Sequence, residues 1–186
     1  MKCIKMETLI KTNTSFLREI DFSKKAVIII LACDLIKSKL QENLKVKILN
    51  GKKNTLDKKT IFLSNVKTHY NIMGQRLESM PLEFGFDNIL NIVNKYFDTT
   101  YNSIVVDRYE SGNNYTEPYS DYESFVKKND VLILTNGKGI NRKMRIRERK
   151  TNIIVKDIEM KTNNIIQMGG DFQNDYKYEI LADENV

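Results

Sequence analysis

Apolar residues recur at helical spacing in two stretches of the chain and at alternating spacing in much of the rest. Val27, Ile30, Leu31, Leu35, Ile36 and Leu40 predict a helix with Asp21 or Ser23 as N-cap, running to about residue 43. The β-branched residues at its start suit a strand equally well. Residues 45–49 alternate and end at Asn50-Gly51, a strand followed by a turn. Residues 51–80 are polar and weakly patterned, with short strands expected at 60–63 and 70–73. Pro81 opens the next segment, in which Phe84, Phe86, Ile89, Leu90, Val93 and Phe97 mark a helix over 87–97. From there the period changes to two. Strands are expected at 102–109, 131–135, 142–149, 152–158, 164–168 and 176–181. Residues 1–14 read as a flexible polar arm and 15–186 as a single domain. The class is α+β, with an N-terminal helical layer before an antiparallel barrel or sandwich.

Composition narrows the chemistry. The 186 residues carry a formal net charge of +6, with 41% hydrophobic and 29% charged side chains, which suits a folded chain rather than a disordered one. Two cysteines, Cys3 and Cys33, do not make a disulfide scaffold. His69 is the only histidine, so a zinc site of several Cys and His ligands and a two-histidine, one-carboxylate iron site both lack their ligands within one chain. Any Ser-His-Asp or Cys-His mechanism would have to run through His69, which reads as a surface residue. Charges scattered through residues 1–20 leave no apolar core for a secretory leader, and the apolar run at 26–33 is too short to span a bilayer. An intracellular location without membrane association is expected. Abundant Lys, Asn and Ile point to an AT-rich genome, a viral one among the options.

Three polar turns stand at the ends of predicted strands. Asp107-Arg-Tyr109 leads into Glu110-Ser-Gly112, Tyr119-Ser-Asp121 follows, and a third turn precedes Tyr176-Lys-Tyr178. Each alone is ordinary turn chemistry. In order and spacing, together with Ile133-Leu-Thr-Asn-Gly137, Arg142-Lys-Met-Arg-Ile-Arg147 and Asn164-Ile-Ile-Gln-Met168, they resemble the AlkB family of iron(II)/2-oxoglutarate dioxygenases over roughly residues 20–181. The resemblance implies a double-stranded β-helix, or jelly roll, with a helical layer on one face.

The departures from the family pattern fall on its chemistry. Both positions that match the iron-binding histidines hold tyrosine, Tyr119 and Tyr178, and only Asp121 matches the metal-ligand triad. Asp107 stands where the family has a cosubstrate-binding Asn, and a carboxylate there repels 2-oxoglutarate unless it is protonated or paired. Tyr109 matches the second cosubstrate contact. The terminal arginine-bearing strand of the family has no counterpart before Val186. A phenol is a poor ligand for Fe(II) at neutral pH. Two readings follow: a tyrosinate-ligated ferric site, or two rings that fill the space of a lost metal and hydrogen-bond there.

Charge is segregated as well. Residues 138–150 hold seven basic side chains against one acidic, while residues 171–186 hold five acidic against one lysine. On a strand, Arg145, Arg147 and Arg149 share one face and Met144 and Ile146 the other. With Arg142 and Lys143 they suit phosphate contacts of a nucleic-acid surface, a charge-protected solvated edge, or a contact with the acidic tail or an acidic protein. The expected function is non-catalytic: a dioxygenase fold without metal or cofactor, repurposed to bind a protein partner or nucleic acid. The alternative is an active demethylase of alkylated nucleic acid with an atypical metal site that uses Fe(II) and 2-oxoglutarate.

Overall fold

A computed structural model describes residues 5–25, 58–72, 75–83, 85–121, 130–137 and 141–183. The chain divides into two compact units, residues 27–114 and residues 1–26 with 115–186. Most of it is β-structure in several antiparallel sheets, compatible with a β-sandwich or jelly roll. Among the described residues, no helix is long and apolar enough to cross a membrane.

The stretch read as a flexible arm contains a strand, β1 (Met6–Lys11), which pairs antiparallel with β2 (Ser15–Asp21). Leu17 and Ile20 of β2 are fully buried, and that burial holds an otherwise charged hairpin in place. A 3-10 turn at Ser23–Lys25 follows β2. The helix expected beyond it, the strand at 45–49 and the Asn50-Gly51 turn lie outside the described residues.

The unit of residues 27–114 contains β3 (Lys58–Ser64), β4 (His69–Ile72), β5 (Gln75–Glu78), β6 (Met80–Pro81), α1 (Phe86–Phe97) and β7 (Ser103–Tyr109). Full-length antiparallel pairing of β3 with β7 sets Thr60 opposite Asp107. Helix α1 buries Phe86, Ile89, Leu90 and Val93 on one stripe. It starts after Gly85 in the left-handed region, and Asp98 caps its end by donating its backbone N–H to the Asn94 carbonyl.

The other unit continues with β8 (Thr116–Tyr119), β9 (Val131–Leu134), β10 (Arg142–Glu148), β11 (Ile154–Met160), β12 (Asn164–Gly170), the one-turn helix α2 (Phe172–Asp175) and β13 (Tyr176–Ile180). Two four-stranded sheets result, in the orders β1-β2-β12-β9 and β11-β10-β13-β8. Central strand β12 buries every residue from Ile165 to Gly169, as a strand paired on both edges does. In the second sheet Met144, Ile146, Ile158, Tyr178 and Ile180 turn inward as cross-strand neighbours. The alternation read from the sequence therefore assigns the faces of β10 correctly.

Candidate functional site

Strands β8 and β13 pair so that Tyr119 lies directly opposite Tyr178. Their rings stand 4.5 Å apart, tilted by 48°. Two residues on, the chain brings Asp121 to the same point. The Tyr178 hydroxyl oxygen lies 2.6 Å from Asp121 Oδ2 and 2.8 Å from the Tyr119 hydroxyl. A phenol has one proton to give. Tyr178 donates it to the carboxylate and accepts from Tyr119, so all three groups are engaged in one chain of hydrogen bonds.

A second layer fixes Asp121. Its backbone N–H donates to Gln173 Oε1 on α2 at 2.9 Å. Arg149 Nη1 donates to the Gln173 carbonyl at 2.9 Å and to Ser120 Oγ at 2.7 Å. Arg149 lies beyond the end of β10 and serves as a strut between the 119–121 segment and α2, away from the outward row in which alternation would place it.

The electrostatics favour the neutral phenol. Burial raises the Tyr178 pKa well above the usual tyrosine value, and the charge of Asp121 raises it further. The donor set is thus a carboxylate already accepting a proton, a phenol that keeps it, and a second phenol bonded to the first. These residues do not fit Fe(II), which prefers neutral imidazole beside carboxylate. Among the described residues, no three His, Cys, Asp or Glu side chains gather into a metal-binding group.

This arrangement predicts an alkaline signature. An acid whose folded pKa exceeds its unfolded value holds its proton more tightly when folded. Tyr178 therefore adds stability at pH below the ordinary tyrosine value of about 10, and that stability is lost as pH rises from there toward the folded value. In a phenolate absorbance titration, one tyrosine should ionise only as the chain unfolds, and Tyr178→Phe should flatten the alkaline loss of stability. Burial raises Tyr176 as well, with Asp175 adding to it, so the comparison with Tyr178→Phe isolates the buried ring. Titration of all nine tyrosines near the ordinary value in the folded chain would contradict the arrangement.

The two cosubstrate-matching residues, Asp107 and Tyr109, lie on β7 in the other unit. Asp107 is paired: Lys58 Nζ donates to Oδ2 at 2.6 Å and Thr60 Oγ1 to Oδ1 at 2.5 Å. The Lys58 side chain is 1% exposed, and its ammonium stands 5.8 Å from the Tyr109 ring centroid. The carboxylate charge is compensated within the unit, so the expected repulsion of an anionic cosubstrate loses its basis there. The sequence assigns no role to Lys58 or Thr60, because their contact with Asp107 exists only through the register of β3 on β7.

The basic row is largely spent on internal partners. Arg145 makes a bidentate pair with Asp157, 2.8 Å at each contact, which raises the arginine pKa and lowers that of the carboxyl. Arg147 binds Glu179 of the acidic C-terminal stretch at 2.7 Å, and Arg142 donates to the Leu181 carbonyl at 2.9 Å. Of the residues expected on a nucleic-acid surface, Lys143 alone is exposed and makes no ion pair among the described residues. Half-buried His69 lies on β4 opposite Glu78. Tyr122 and Phe125, which follow Tyr115 and Tyr119 along the chain, lie outside the described residues. Neither the known protein-family models nor the curated proteins give a match to this chain.

Proposed function

We propose that the chain is a catalytically inactive AlkB-like dioxygenase homologue with a double-stranded β-helix fold, retained as a binding module with a protein as its favoured partner. One observation carries the reading: Tyr119, Asp121 and Tyr178, separated by up to 59 residues, form one chain of hydrogen bonds at the positions that the resemblance assigns to the metal ligands. A metal-free fold needs such a substitution, because Asp121 without iron would otherwise lie beside the buried ring with a charge to satisfy.

The strand order supports the same reading. From β8 to β13 the chain crosses between the two sheets at β8–β9, β9–β10, β11–β12 and β12–β13, the repeated crossing that a jelly roll requires. A protein partner is favoured over nucleic acid because Arg142, Arg145, Arg147 and Arg149 are committed within the chain. Freeing them for phosphate would break pairs already made.

The test is turnover. With Fe(II), 2-oxoglutarate, oxygen and methylated oligonucleotides, the chain should release no succinate and no formaldehyde above a metal-free control. Metal-dependent release that Asp121→Ala abolishes would overturn the reading in favour of an active demethylase.

A further inference from the structure

Strand β11 is an edge strand: among the described residues it pairs with β10 alone. Residues 151–157 are exposed without interruption. Within them Ile153 is 62%, Ile154 47% and Val155 45% exposed. The register of β11 on β10 slips between Lys156 and Ile154, so Val155 stands at a bulge, and the run leaves exposed apolar groups along an open edge. A solvated edge is normally protected by charge at such positions.

The charge left without an ion pair around this edge is mainly positive. Asp157 is paired with Arg145 and Glu179 with Arg147, while Glu148 and Glu159 accept hydrogen bonds from neutral groups, the Thr151 hydroxyl and the Asn141 amide. Lys143, Lys150, Lys156 and Lys177 make no ion pair among the described residues. Lys150 and Lys156 bracket the apolar run in sequence.

We propose that the β11 edge receives an extended polypeptide segment with alternating apolar and acidic residues, added to the sheet as a further strand. Main-chain hydrogen bonds along the edge hold it, Ile153, Ile154 and Val155 cover its apolar side chains, and Lys150 and Lys156 meet its carboxylates. The chain's net charge of +6 draws an acidic segment and opposes pairing of two copies through this edge. The inference rests on the binding-module reading and gives its partner a chemistry.

A random-peptide display selection on the full chain tests it, with each enriched peptide resynthesised and titrated by fluorescence anisotropy. Two variants serve as controls, Ile153→Lys with Val155→Lys and Lys150→Glu with Lys156→Glu. All four positions are exposed, and circular dichroism checks that the variants fold. Enriched peptides should be acidic with alternating apolar residues, and each double variant should weaken them by about tenfold or more. The proposal is overturned by absence of enrichment, by peptides without that pattern, or by binding indifferent to both variants. A micromolar dimer in sedimentation that the Ile153→Lys, Val155→Lys variant abolishes would also overturn it and make a second copy the occupant. Peptide binding that bypasses β11 removes the edge and leaves the module reading standing. Metal-dependent turnover removes the module reading and leaves the edge as observed.

Discussion

Lys58→Ala is expected to cost about 3 kcal/mol of stability, the low end for breaking a buried ion pair, because Asp107 keeps some access to water. The Lys58 side chain is 1% exposed and that of Asp107 21%. Removing the ammonium leaves the carboxylate with Thr60 as its remaining donor in this cluster and also withdraws the cation beside the Tyr109 ring. The double variant Lys58→Met, Asp107→Leu should recover much of the loss, since both charges then leave together and the volume stays filled. Urea denaturation of the two variants against the parent measures this coupling. Equal losses in the single and double variants would show that Lys58 acts through packing rather than charge.

The second large effect is a gain. Tyr119→His with Tyr178→His should convert the hydrogen-bonded cluster into a two-histidine, one-carboxylate set with Asp121. The Tyr178 hydroxyl already lies within hydrogen-bond distance of both Asp121 and the Tyr119 hydroxyl, so the substituted side chains would point at a common position. With Mn(II) at about one hundred times its dissociation constant, binding should stabilise the fold by about 2.7 kcal/mol. For a chain of this size that is a rise in melting temperature of about 8 °C, absent in the parent and in the triple variant that adds Asp121→Ala. Failure of the folded double variant to bind metal would mean that the three positions converge without the geometry of a metal site.

These predictions differ in how far the sequence alone leads to them. Strands β10, β11 and β13 are legible because their apolar residues alternate, β7, β9 and β12 because they hold short apolar runs, and α1 because its buried stripe has helical spacing. β8 escapes, since Thr116-Glu-Pro-Tyr119 carries no alternation and its pairing with β13 depends on a distant partner. β1 and β2 escape because charged residues interrupt them, Arg18 and Glu19 among others, and Glu19 is buried against Lys161 and Asn164 from far along the chain. Only the family resemblance nominates Tyr119, Asp121 and Tyr178 as residues of one site. Nothing local in the sequence marks Lys58 as the partner of Asp107, because the contact exists only through the register of β3 on β7. Alternation likewise puts Arg145 and Arg147 on one face, while Asp157 and Glu179, which neutralise them, sit on flanking strands that local pattern does not align.

The central claim is that the Tyr119–Asp121–Tyr178 cluster is complete without a metal. The most direct measurement is an anaerobic calorimetric titration of the parent chain with Mn(II) in the presence of 2-oxoglutarate, alongside its melting temperature. The account predicts no stoichiometric heat and no rise in melting temperature. A stoichiometric heat with a matching rise, both lost on Asp121→Ala, would contradict it and make the cluster a tyrosine-containing metal centre.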